Sequence, residues 1–124
     1  MKVISTDKAP AAIGPYSQAI VAGDFLYASG QIPINPATGN VEAEGIEAQA
    51  TQAIVNVGEI LKAAGLTYEN VVKTSCFLAD MNDFAAFNGV YEKYFTGKPA
   101  RSCVAVKQLP KNVLCEVEVI AYLK

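Results

Sequence analysis

No histidine occurs anywhere in the chain. That absence removes the most frequent general base, every Ser-His or Cys-His nucleophile pair, and most zinc sites. Any chemistry has to run on carboxylates, Arg, Lys, Tyr, thiols or backbone groups. Cysteine is scarce: Cys76, Cys103 and Cys115 form an odd, widely spaced set with no C-x-x-C pair. Such residues in a cytoplasmic chain are expected to be buried thiols rather than disulfides or metal ligands. Charge of either sign is thinly spread. The ten basic residues form no Lys/Arg-rich run, and the net charge of −2 argues against a groove that tracks nucleic-acid phosphates. Long apolar runs are missing too. The stretch Val119 to Leu123 is far too short to cross a bilayer. The segment after Met1-Lys2-Val3-Ile4 turns polar at once, without the apolar core of a signal peptide, so a cytoplasmic location with no membrane association is expected.

What remains is an apolar-rich chain of ordinary domain length. Its 124 residues, 52% of them hydrophobic, suffice to close one core, and no composition shift or repeat marks a second domain within 1–124. Val3-Ile4-Ser5 reads as a short strand, and Asp7 to Pro15 as an ordered loop. Ser17 to Ala22 and Phe25 to Ser29 are β-rich runs separated by Gly23-Asp24, a two-residue hairpin signal. Ile32 to Asn40, with Pro33, Pro36 and Gly39, reads as a loop. Ile46, Ala50, Ala53, Ile54, Val57, Ile60, Leu61 and Ala64 then recur at three- and four-residue steps, the stripe of an amphipathic helix closed by Gly65.

Val71 to Leu78 has the β-branched, apolar pattern of a buried strand. Asp80 or Asn82 is placed to cap a second helix. Its Phe84, Phe87, Tyr91, Tyr94 and Phe95 form an aromatic stripe that reads as packing against a sheet. Arg101 to Val106 and Leu114 to Tyr122 complete the strands. The order predicts an α+β fold: a mixed sheet of five or six strands with two helices on one face. The other face is then left open. On the last strand Glu116, Glu118, Ile120 and Tyr122 share that side, too apolar for free exposure and too charged for a core. A wet subunit interface suits it.

Four clusters carry polar chemistry. They are Ala12-Ile13-Gly14-Pro15-Tyr16-Ser17-Gln18; Ala28-Ser29-Gly30-Gln31-Ile32-Pro33; Asp80-Met81-Asn82-Asp83-Phe84 with Asn88; and Pro99-Ala100-Arg101-Ser102-Cys103-Val104 with the Glu116-Val117-Glu118 strand. Taken in order along the chain, these resemble the Rid, or YjgF-type, family of enamine/imine deaminases. The resemblance implies a chorismate-mutase-like α+β fold assembled as a homotrimer, with a site in each cleft between neighbouring subunits. It implies small 2-imino acids and 2-aminoacrylate-type enamines as substrates, 2-keto acids and ammonia as products, and no metal or cofactor. Position by position, Arg101 matches the carboxylate-binding arginine and Glu116 the acidic residue that orients water. Tyr16 and Ser29 match pocket residues, Gly30 and Cys103 match positions offering backbone contacts, and Asn88 matches a site-lining amide.

The residue types suit that chemistry independently. A protonated imine is already electrophilic, so hydrolysis needs the substrate held, a water aimed at the C=N carbon, and a proton returned to nitrogen. A guanidinium grips a carboxylate with two parallel hydrogen bonds. A partly desolvated carboxylate orients water and shuttles protons. Plainer readings exist for each residue. An Arg at a strand start is usually a surface ion pair. Glu118 has the same claim as Glu116 on spacing, and only the resemblance selects Glu116. Tyr16 could pack its ring on the sheet, and Ser29 could be an ordinary strand-end hydroxyl. Cys103 reads as a small buried hydrophobe, although Arg101 two residues away could lower its thiol pKa. Two other functions fit the same residues less fully: a keto-acid-sensing regulator that binds without turnover, and an RNA-cleaving or translation-inhibiting protein. Against the latter stand the missing histidines and the missing basic patch.

Overall fold

The computed structural model describes all of residues 1–124. Six strands form one mixed sheet: β1 (Lys2–Ile4), β2 (Ala19–Ala22), β3 (Phe25–Ala28), β4 (Val71–Leu78), β5 (Ala100–Ala105) and β6 (Cys115–Tyr122). Their spatial order is β1-β2-β3-β6-β4-β5. Every neighbouring pair is antiparallel except β4 and β5. A parallel pair needs a crossover, and the helix α2 (Phe84–Tyr94) supplies it. The longer helix α1 (Ile46–Ala63) joins β3 to β4. No helix is long and apolar enough to cross a membrane.

The local signals explain most boundaries. Gly23 and Asp24 form the two-residue loop between Ala22 and Phe25, with Gly23 alone at positive φ (60°), which is the type II′ geometry. At the end of α1, Gly65 takes φ 76°, its N–H donates to Lys62 O, and Leu66 N–H donates to Leu61 O. That is a Schellman ending, and it satisfies carbonyls the helix leaves open. Neither Asp80 nor Asn82 caps α2 itself, whose N-cap is Asp83 with no side-chain capping bond; Asp80 caps the short turn ahead of it. Its carboxylate accepts from Asn82 N–H at 2.8 Å and opens a short 3₁₀ turn, Met81–Asp83, that runs into the helix. Asn82 sits inside that turn, so its side chain is not at the capping position. Every strand except β4 also starts or stops one or two residues away from the sequence expectation, as strand ends commonly do.

Both helices cover one face. On β6, Cys115, Val117, Val119 and Ala121 point into a core shared with Ala50, Ile54, Val57 and Leu61 of α1 and Phe87 and Tyr91 of α2. The alternate residues Glu116, Glu118, Ile120 and Tyr122 point the other way. On that open face Tyr122 stacks with Phe25 of β3, ring centroids 5.3 Å apart, and Tyr27 lies opposite Ile120. Phe25, Tyr27, Val104 and Tyr122 are all exposed there. Such an apolar row on one side of a sheet is the expected mark of an interface.

Candidate active site

The residues singled out from the sequence fall into two groups. Tyr16, Ser29, Gly30 and Glu116 line one cavity of about 410 Å³, together with Gln31, Glu118, Ile13 and Pro110. Its walls are built by buried amides that tie loops to the sheet. Gln18 accepts from Thr6 N–H at 2.7 Å and donates to Thr6 O and Pro10 O at 3.0 and 2.8 Å, pinning the N-terminal loop. Gln31 exchanges both backbone hydrogen bonds with Val117, which fastens the 29–31 segment beside β6. Asn56 of α1, fully buried, donates to Ile32 O and Ile34 O at 3.1 and 2.9 Å and holds the next stretch of loop.

Within this cavity each residue has a definite state. Glu116 is partly buried, and its carboxyl titrates above the ordinary glutamate value, first because burial disfavours the charged form and then because Glu118 is close. The carboxylate lies against the Cα of Gly30, leaving no room there for a side chain. Ser29 donates its hydroxyl to Ser17 O at 2.6 Å, so that group already braces the loop. Tyr16 is 47% exposed beside the cavity, and its hydroxyl accepts from Ile13 N–H at 3.2 Å.

The second group gathers at the sheet edge under α2. Arg101 on β5 donates from Nη1 to Asn88 Oδ1 at 2.7 Å. Its guanidinium carbon lies 4.7 Å from the ring centroid of Tyr91 and 5.5 Å from that of Phe84. Cys103 is the next residue on the same side of β5, level with Cys76 of β4. Burial raises the Cys103 thiol pKa, and Arg101 pulls it down by less, so the net shift is upward and suits the small buried hydrophobe read from the sequence. Burial pushes Cys76 and Cys115 up to about 12. All three cysteines are free, and no three Cys, Asp or Glu side chains meet in a way that could hold a metal ion.

One chain does not bring the two groups together. Arg101 is level with Thr74 and therefore faces α2, whereas Glu116 is level with Phe77 and alternates with core-facing Cys115 and Val117. The two side chains leave opposite faces of the sheet. Sequence reasoning set Ile13, Gln31 and Phe84 inside its polar clusters without giving any of them a role of its own, and it treated the aromatic stripe that includes Phe84 and Tyr91 as packing. For Phe84 and Tyr91 a signal was available, since Phe84, Asn88 and Tyr91 are spaced i, i+4, i+7 on one helix face.

Comparison with known proteins places the chain. The family model Ribonuc_L-PSP, described as endoribonuclease L-PSP, matches residues 6–123. The RutC family protein slr0709 of Synechocystis is 52% identical over 99% of this chain and 97% of its own length. The 2-iminobutanoate/2-iminopropanoate deaminase of Escherichia coli K12 is also 52% identical, covering 97% of this chain and 96% of that protein. Among solved structures, E. coli TdcF with bound serine superposes with a TM-score of 0.93 at 44% identity, covering 98% of each chain. The chain therefore belongs to the YjgF/RutC/Rid family.

Proposed function

We propose that this protein is a cytoplasmic, homotrimeric deaminase that hydrolyses 2-imino acids and 2-aminoacrylate-type enamines to 2-keto acids and ammonia. One observation carries the reading: Arg101 and Glu116 leave opposite faces of the same sheet. A small substrate can meet both when neighbouring copies supply them. The exposed row of Phe25, Tyr27, Val104 and Tyr122 beside Glu116 gives such copies an apolar surface to share. The ligand class is supported by the relative named for 2-iminobutanoate and 2-iminopropanoate, and by the relative that holds serine, another small 2-substituted carboxylate.

In this reading Arg101 binds the substrate carboxylate, with Asn88 beside it and the backbone at Cys103 completing the edge of the cleft. From the neighbouring copy, Tyr16, Ser29 and Gly30 wall the pocket. Glu116 orients a water towards the C=N carbon. Water adds to that carbon and gives up a proton to Glu116, forming a carbinolamine. Glu116 returns that proton to nitrogen and then takes the proton of the new hydroxyl as the C–N bond breaks, so that ammonia leaves and the carbonyl forms. A carboxyl with a raised pKa suits both halves of this transfer.

An RNA-cleaving activity, the description attached to the matched family model, has weaker support. The chain has no histidine to act as general base on RNA, and its ten basic residues form no Lys/Arg-rich run to track a phosphate backbone. A sensor that binds keto acids without turnover would use Arg101 in the same way but would not need Glu116.

The test is complementation between chains, read by keto-acid release when a pyridoxal-phosphate dehydratase generates the imine. Arg101→Ala and Glu116→Gln are each expected to be nearly inactive. Co-folded in equal amounts, random trimers should recover about a quarter of wild-type activity, because one cleft in four pairs an intact Arg101 with a neighbour's intact Glu116. No recovery from properly mixed trimers would sink the shared-cleft reading. Wild type that binds a 2-keto acid yet releases none from the imine above the spontaneous rate would favour the sensor.

A further inference from the structure

The environment of Arg101 contains a feature that packing alone does not require. Tyr91, only 8% exposed, presents its ring to the guanidinium and ends in a hydroxyl 2.7 Å from the hydroxyl of Thr74, which is fully buried. Thr74 is the β4 residue level with Arg101. The surroundings of the hydroxyl pair are apolar: Phe95 lies 4.5 Å and Phe87 5.9 Å from the Tyr91 ring, centroid to centroid. Valine and phenylalanine have the same shapes without the hydroxyls, and replacing both members of such a pair is close to neutral for folding. A buried polar pair that stability does not demand invites a positional explanation.

The geometry supplies one. An arginine side chain is long, and a carboxylate anchor works only when the plane of its fork is fixed. The Tyr91 ring restrains that plane by cation–π contact, with Phe84 as a second ring. The hydrogen bond to Asn88 restrains rotation within the plane, and so fixes where the remaining N–H groups point. The tether to Thr74 holds the Tyr91 ring itself. We propose that Tyr91, anchored by Thr74, is a positioning residue that aims the Arg101 guanidinium at the substrate carboxylate. This rests on the reading of Arg101 as that anchor.

The experiment compares wild type, Tyr91→Leu, Tyr91→Phe and Thr74→Val, with thermal midpoint and trimer mass measured for each. Calorimetry gives the affinity for 2-oxobutanoate and for its amide, which lacks the carboxylate. Steady-state assays give KM and kcat for the imine. Removing the ring leaves the guanidinium to be ordered by the ligand, which should weaken 2-oxobutanoate binding by about fivefold to tenfold. KM should rise in parallel, with binding of the amide nearly unchanged. Tyr91→Phe and Thr74→Val keep the ring and lose the tether, so their acid-over-amide preference should fall by only a few-fold. A residue that merely packs would leave that preference at its wild-type value, whatever happened to the melting temperature. That result in folded Tyr91→Leu overturns the proposal. If Tyr91→Leu does not fold, an unchanged preference in both Tyr91→Phe and Thr74→Val overturns it instead. Failure of the deaminase reading looks different: wild type binds 2-oxobutanoate yet turns over no imine, and the binding comparison still decides the role of Tyr91.

Discussion

The carboxylate of Glu116 rests directly on the backbone of Gly30, so that a methyl group added at position 30 would overlap Oε2 and lie 2.7 Å from Cδ. Gly30 has no positive φ, so alanine is tolerable there as backbone. The nearest atoms the new methyl meets all belong to Glu116. Gly30→Ala is expected to lower kcat by on the order of a hundredfold, the cost of displacing a catalytic group by about 1 Å. Affinity for 2-oxobutanoate should fall far less, because Arg101, the proposed carboxylate anchor, comes from the other cluster. Calorimetry beside a turnover assay checks the split, and a kcat within a few-fold of wild type would show that Glu116 has no fixed place to keep.

How far this arrangement was legible in the sequence depends on the kind of information each part needs. The stripe from Ile46 to Leu61, the run Val71–Leu78 and the turn at Gly23-Asp24 are local patterns, and each element forms where its pattern stands. The alternation along β6 likewise separates Glu116 from Val117 without any knowledge of the neighbouring strands. Which side Arg101 takes relative to Glu116 is another matter. It depends on the register of β5 on β4 and of β4 on β6, and no local pattern encodes it. The aromatic residues of α2 misled for a related reason. Phe87 and Tyr91 do pack into the core, but a helical stripe says nothing of a cation arriving from the sheet edge.

The raised pKa of Glu116 predicts two pH effects. In the proposed reaction the carboxylate is the working form, so kcat/KM should fall on the acid side through a pKa above that of an ordinary glutamate. Glu118→Gln removes the second cause of the shift and should move that limb to lower pH. For stability the sign is opposite to that of a salt-bridged carboxylate. The folded chain binds the proton more tightly than the unfolded chain, so this residue favours folding at low pH and loses that contribution as pH rises through its raised value. Glu116→Gln should flatten this part of the stability profile and leave the protein no less stable at neutral pH. Denaturation curves across the acid range decide it, and a profile that keeps its slope in the variant contradicts the assignment.

Asn56 offers a test of how the cavity is held. It is completely buried and donates to two loop carbonyls, Ile32 O and Ile34 O. Asn56→Leu leaves both acceptors unpaired in an apolar setting, a loss of roughly 2 to 4 kcal/mol. The thermal midpoint should drop by several degrees or more. Hydrogen exchange should quicken first in the 29–35 segment, with the Arg101 edge unaffected. A uniform rise in exchange over the whole chain would mean that Asn56 supports the core rather than the loop.

Replacing Arg101 by lysine separates charge from geometry. Lysine keeps the positive charge, so a purely electrostatic role would survive. Its ammonium, however, cannot donate two coplanar hydrogen bonds to a carboxylate, and it cannot also satisfy Asn88 from the far side of a planar group. The two rings beneath it, Tyr91 and Phe84, would lose the flat partner they now restrain. A substrate would still be attracted to the cleft but would pivot about one contact. The C=N carbon would then leave the path of the water aimed by Glu116. Arg101→Lys is expected to fall nearly as far as Arg101→Ala in kcat/KM, on the order of a hundredfold or more. Arg101 is only half-buried at the sheet edge, so folding should be nearly unaffected, and the thermal midpoint serves as the control. Wild-type turnover by a well-folded Arg101→Lys protein would reduce Arg101 to a general attractor of anions, and would remove the need for Asn88, Phe84 and Tyr91 to hold it in one plane.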